Sequence, residues 1–213
     1  MKRLLLVPSL LALIFVGAAS AAHAESLTLV SQGTNTFSGY PAAPYSGLLD
    51  SSPITMVCLS FYRDNEVGQT WDVAVNSLDA SGVANALFGS QANALLKYQR
   101  AAWLYDQLTA DPNEASGIQG AIWNIFSAST PDNADSIRWF SAAMGVNLAG
   151  YDFSRFRILT PLDRSASGPQ EMMTTVPEPM TMLLLGSGLL GVAAKVRKHR
   201  KLSAAQISEP TEV

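Results

Sequence analysis

Cys58 is the only cysteine in the 213-residue chain, so no disulfide can form within it. A lone thiol is buried as a small hydrophobe, pairs with another chain, or is chemically engaged. Histidine usage narrows the chemistry. The chain has two, His23 and His199, and both lie in terminal segments of targeting character. Histidine is the usual general base near neutral pH and the commonest metal ligand, so Ser-His-Asp or Cys-His catalysis and imidazole zinc sites are excluded from the central domain by inventory. No Gly-rich phosphate loop is present, and neither metal nor cofactor is expected. Paired carboxylates can hydrolyse glycosides without histidine, which leaves a membrane-anchored polysaccharide hydrolase as the enzymatic alternative, although no convincing pair stands out.

A second group of residues acts by shape. Pro177-Glu178-Pro179 fixes φ twice and cannot continue a helix or ladder, so the chain there is extended and open to a processing enzyme. An apolar run, Met180 to Ala194, follows, and then a basic cluster, Lys195, Arg197, Lys198, His199, Arg200 and Lys201. As a helix, the 15 residues 180–194 would reach about 22 Å, short of a hydrocarbon core of roughly 30 Å, which makes a marginal membrane span. The positive-inside rule keeps the basic cluster cytoplasmic and places the preceding domain across the membrane. Residues 202–213 form a short tail. At the other end, Met1-Lys2-Arg3, the apolar stretch Leu4 to Val16 and Ala22-His23-Ala24 are the three parts of a secretory signal peptide, residues 1–24, with Ala22 and Ala24 marking cleavage and the Sec machinery as the export partner. Mature protein is expected to begin near Glu25.

Between these segments, residues 25–178 carry seven Lys and Arg (63, 97, 100, 138, 155, 157 and 164) against fifteen Asp and Glu, a net charge of −8 that the whole-chain value of −3 conceals. Such a domain lacks the basic footprint that nucleic acid requires. Polysaccharide, divalent cations or another protein remain as partners.

The elements that must position Cys58 follow from periodicity. Ser26 to Val30, Ile54 to Phe61 and Gln69 to Val75 read as strands, with turn signals at Ser46-Gly47 and Asp50-Ser51-Ser52-Pro53. Leu95, Tyr98, Ala102, Tyr105 and Leu108 recur at helical spacing, which predicts a helix over 91–109 with Ser90 as its cap. Asp111-Pro112-Asn113-Glu114 predicts a capping box opening a second helix to about Ser127. Thr130-Pro131 opens a third, turning Ile137, Phe140 and Met144 inward and stopping at Gly145. Arg155 to Leu159 is the expected last strand. Residues 163–176 read as a solvated stalk. The fold class is therefore α+β: one domain over 25–162, an antiparallel sheet or barrel with a three-helix group packed on it and a closing C-terminal strand. Trp71, Trp103, Trp123 and Trp139 read as core.

The tail over 177–201 resembles the PEP-CTERM sorting signal of Gram-negative bacteria that export protein together with exopolysaccharide. The resemblance implies handling by an exosortase-type enzyme and an exported protein, anchored transiently in the inner membrane through residues 180–194 and then delivered to the envelope or beyond.

A second resemblance covers about residues 37–160. Met56-Val57-Cys58-Leu59 on a strand, Gly68-Gln69-Thr70-Trp71, Arg100-Ala101-Ala102-Trp103-Leu104 on a helix and Gln119-Gly120-Ala121-Ile122-Trp123 on the next resemble bacterial thioester domains. It implies a bond between Cys58 and Gln119, formed with loss of ammonia and used once, on a surface amine or hydroxyl of an exopolysaccharide or protein target. It also implies an apolar cover, for which Phe61, Trp103, Trp123 and Phe126 are the candidates, and a proton path through Asp64, Tyr105 or Asp106. Leu59-Ser60 stands where many relatives have an acidic residue, and Ile118 where threonine is common. Read without the resemblance, Cys58 is a buried apolar residue and Gln119 satisfies a backbone group; the domain is then a non-covalent adhesin or exopolysaccharide-associated scaffold.

Overall fold

The computed structural model describes residues 24–176. Six strands close into an antiparallel barrel: β1 (Glu25–Ser31), β4 (Tyr45–Leu49), β5 (Ser52–Cys58), β8 (Met172–Thr175), β7 (Phe156–Pro161) and β6 (Thr70–Ser77), in that spatial order, with β6 pairing back onto β1. A separate hairpin joins β2 (Asn35–Phe37) to β3 (Tyr40–Ala42). The helices are the short α1 (Ala80–Ala84), then α2 (Ala94–Ala110), α3 (Ala115–Phe126) and α4 (Ala134–Gly145). Among the described residues no helix is long and apolar enough to cross a membrane, and residues 180–194 lie outside that range.

The α+β reading holds, and closure of the sheet decides between its two forms in favour of a barrel. One half of the wall alternates as a half-solvated antiparallel sheet should. Leu27 and Leu29 on β1 and Trp71 and Val73 on β6 are buried, while Thr28, Thr70 and Asp72 between them are not. The opposite half is covered on both faces. Met56, Val57 and Cys58 are buried in succession on β5, as are Ile158 to Pro161 on β7 and Met172 to Thr174 on β8. α2, α3 and α4 pack together as the expected three-helix group, and α3 reaches both β5 and the β2–β3 hairpin.

α3 is the central element. It is apolar nearly all round, and Ala115, Gly117 to Trp123, Ile125 and Phe126 are buried, as a helix enclosed on every side must be. Two glycines permit its close neighbours. A Cβ on Gly117 would stand 2.7 Å from Asp135 Cβ of α4, and one on Gly120 would stand 2.5 Å from the Phe37 ring of the hairpin.

Several sequence expectations are corrected. Residues 163–176 are not a stalk: Met172–Thr175 is β8, and it fills the gap between β5 and β7, which would otherwise be two open edges. The polar stretch before it is fastened by Arg63, whose guanidinium donates to the carbonyls of Asp163 at 3.3 Å, Pro169 at 3.1 Å and Arg164 at 2.9 Å. Ser46-Gly47 is strand rather than turn, since Gly47 sits where a Cβ would meet Met56 Cε at 2.4 Å; the chain reverses at Asp50-Ser51, both with positive φ. α2 begins after Asn93 rather than at Ser90. Asp111 caps as expected, over a 3₁₀ turn at Pro112–Glu114, but Glu114 takes no part in a capping box and binds Arg138 and the Trp139 indole instead. α4 is opened by an Asn133–Ser136 capping box, three residues beyond Thr130, and its Ile137 and Met144 face solvent.

Candidate functional site

Cys58 ends β5, and Gln119 lies on the buried face of α3; both side chains are fully buried. Their contact is a reciprocal pair of hydrogen bonds. Gln119 Nε2 donates to the Cys58 carbonyl at 2.7 Å, and the Cys58 N–H donates to Gln119 Oε1 at 3.3 Å. The carboxamide thus pairs with the main chain of Cys58 as another strand would, at the point where β5 leaves the ladder. The Cys58 thiol points forward along its own chain and donates to the carbonyl of Ser60 at 3.5 Å.

Trp123, one helical turn beyond Gln119, lies against the same sulfur. Burial pushes the Cys58 thiol up to about 12; hydrogen bonding from the Trp123 indole and from the Ser60 main chain pulls it back, and the charges of Glu171 and Asp64 push it further up. The Trp123 N–H makes no hydrogen bond of ordinary geometry there. Tyr45 on β4 also feels the sulfur, its phenol raised chiefly by burial, and donates to the Pro41 carbonyl at 2.6 Å.

Of the four proposed cover residues, two stand together. Phe61 and Trp123 have ring centroids 5.1 Å apart, and Phe61 in turn meets Tyr40 at 5.0 Å and Tyr62 at 5.1 Å, edge-on. Trp103 pairs instead with Trp139, and Phe126 with Phe88 and Tyr98. Of the three proton-path candidates, only Asp64 is near the sulfur. Asp106 is engaged by Tyr151 and Arg155, and the Tyr105 hydroxyl donates to the Thr55 carbonyl at 2.7 Å.

Residues that sequence reasoning passed over complete the surroundings. Glu171, fully buried, accepts from Leu87 N–H at 2.6 Å, the Tyr98 hydroxyl at 2.5 Å and the Thr160 hydroxyl at 2.7 Å, while its own N–H and C=O hold Ser60 Oγ and Leu59 N–H. Desolvation raises its carboxyl despite these donors. A glutamic acid within a Ser-Ala-Ser-Gly-Pro-Gln-Glu stretch gives no periodic signal, and only the strand beside it brings it inward. A cavity of about 30 Å³ lies next to Tyr45 and Trp123, bounded also by Tyr40, Phe61, Asp64 and Asn65.

Residues 175–198 match the PEP-CTERM protein-sorting motif. The chain therefore carries the mark of an exported protein sorted by an exosortase and held transiently in the membrane. The motif begins on the last residue of β8, so Pro177-Glu178-Pro179, which lies outside the described residues together with Ala22, follows the barrel after a single residue, Val176. Ala24 is the first described residue. Compared with curated proteins and with solved structures, the chain finds no match.

Proposed function

We propose that the exported domain is a single-use covalent attachment module, in which the Cys58 sulfur replaces the Gln119 side-chain nitrogen to give an internal thioester. The observation that carries this reading is the reciprocal pairing of the Gln119 carboxamide with both main-chain groups of Cys58, with both residues fully buried. A carboxamide held this way has lost its orientational freedom, which removes the entropic part of the barrier to attack by a neighbouring nucleophile.

The chemistry balances without a cofactor. The thiol sulfur adds to Gln119 Cδ, the developing charge on Oε1 faces the Cys58 N–H, and collapse breaks the Cδ–Nε2 bond. The thiol proton leaves with the nitrogen as ammonia. A thiol raised to about 12 carries almost no thiolate at neutral pH, so the fixed proximity of the two groups has to offset that loss of nucleophile. Once closed, the Phe61–Trp123 pair keeps water from the acyl carbon. Reaction with a target then transfers the acyl group and restores the thiol, leaving a bond that does not dissociate.

Intact mass measurement of the full-length protein tests this. The wild type is expected lighter than its sequence by one ammonia, about 17 Da, with no titratable thiol. Cys58→Ala and Gln119→Ala are each expected at full mass. A wild type at full mass with a titratable thiol overturns the reading and leaves a reversible scaffold, in which Gln119 only satisfies the end of β5.

A further inference from the structure

The loop that follows Cys58 and carries Phe61 is fastened from one side by the segment leading into β8. Leu59 N–H donates to the Glu171 carbonyl at 2.9 Å, and Glu171 N–H donates to Ser60 Oγ at 3.0 Å. The Gln170 N–H donates to Asn65 Oδ1 at 2.9 Å, while Gln170 Nε2 donates to the Ser60 carbonyl at 3.4 Å and to the Arg63 carbonyl. Arg63 answers through its guanidinium, which holds the carbonyls of Asp163, Arg164 and Pro169. On the other side the loop is held by the Tyr62 hydroxyl, which donates to the Ser129 carbonyl at 2.9 Å, and by Gln32 Nε2, which donates to the Asn65 carbonyl at 2.8 Å.

Ser60 joins this network to the site. Its carbonyl accepts from the Cys58 thiol and from Gln170 Nε2 alike, and Phe61, the next residue, packs on Trp123. Ser60, Asn65, Gln170 and Glu171 are buried, whereas Asp163 to Ser167 are exposed, so the fastening is internal and the strap that supplies it runs over the surface. Gly168 sets how closely the strap lies: a Cβ there would stand 2.4 Å from the Asp163 carbonyl oxygen and 2.9 Å from the Arg63 guanidinium. We propose that residues 163–171 form a latch on Cys58, with Gln170 as its positioning residue. Closed, the latch holds the Ser60 carbonyl against the thiol and Phe61 against Trp123; released, it exposes the sulfur while the barrel stays folded. A surface strap that adds no strand of its own is the part of a fold that opens at least cost. The latch governs access to Cys58 as a free thiol and as a thioester alike, so it does not depend on the reading above.

Labelling of Cys58 in the full-length protein, followed by intact mass across a urea series, tests this. Iodoacetamide is the probe where the thiol is free, and methylamine where the protein is isolated one ammonia light. Release of a latch exposes little surface, so labelling through it depends weakly on urea, whereas labelling through global unfolding depends on urea steeply. Gln170→Ala, Arg63→Ala and Gly168→Ala are each expected to label about tenfold faster than the wild type without urea, the scale of one buried hydrogen bond lost, and with a shallow urea dependence. Tyr62→Phe, which frees the loop from Ser129 and leaves the latch closed, is expected to label at the wild-type rate. Arg63 is only partly buried, so its variant decides the matter should Gln170→Ala fail to fold. Wild-type rates in the latch variants, acceleration that only tracks lost global stability, or equal acceleration in Tyr62→Phe overturns the latch. A wild type at full sequence mass overturns the thioester alone, and the iodoacetamide rates still decide the latch.

Discussion

Glu171 is a buried carboxyl whose ionisation the fold opposes. Its carboxyl is raised by desolvation, so the folded state binds a proton more tightly than the unfolded chain does. The stability this provides is complete below the ordinary glutamate value and is lost as pH rises through the raised folded value. Glu171→Gln keeps an acceptor for Leu87 and Thr160 and stays neutral at every pH. The variant is therefore expected to show a flatter dependence of unfolding free energy on pH, from about 4 upward, than the wild type, measured by urea denaturation across a pH series. Equal slopes would show that Glu171 titrates alike in both states. Cys58 and Gln119 were recognisable from their motif context, and Phe61 and Trp123 from aromatic content beside it. Glu171, Asn65 and Tyr45 were not, because each matters through a partner more than ten residues away in the chain.

The helices were largely legible because period and capping are local properties. α3 emerged from its capped start and apolar faces, and α2 from its spacing. What spacing could not show is that α3 is enclosed on all sides, or that its glycines are contact points. Gly120 makes this testable. A methyl group there would meet the ring of Phe37, itself fully buried and held between the hairpin and Trp123, whose ring centroid is 6.1 Å away. Gly120→Ala is expected to lose about 1–3 kcal/mol by overpacking, even though alanine favours helix, and the loss is expected to shrink in the Gly120→Ala, Phe37→Leu double variant. Chemical denaturation of the four proteins measures the coupling. An additive pair would place the strain elsewhere. The strands were legible where apolar residues run together, as in β5, and hidden where glycine or polar residues make the wall, as in β4 and before β8.

At the scale of the whole molecule, the exported domain ends with β8 rather than at Leu162. Met172 and Met173 are fully buried, and losing such side chains costs roughly 2–5 kcal/mol each, which approaches the stability of an entire domain. A chain running from Glu25 to Leu162 is therefore expected to lack cooperative unfolding and near-ultraviolet dichroism, whereas one running from Glu25 to Val176 is expected to show both. Folding of the shorter chain would make β8 an accessory strand. Polarity of residues 163–171 hid this boundary: three carbonyls converging on one guanidinium cannot be seen in a linear string, and that convergence turns an apparent linker into a lead-in for the final strand.

The adjacency of β5 and β8 has a mechanical meaning. Cys58 stands opposite Met172 in the ladder, and the membrane-directed tail departs just after Thr175, whereas β1 lies three strands away around the wall in either direction. If a cargo is bound at Gln119 as proposed, tension applied through the tail enters at β8 and passes first to its two ladder partners, β5 and β7. β1 and β4 pair with neither β8 nor β7, so pulling would shear β8 along β5 and β7 before it disturbed the part of the wall that contains the amino terminus.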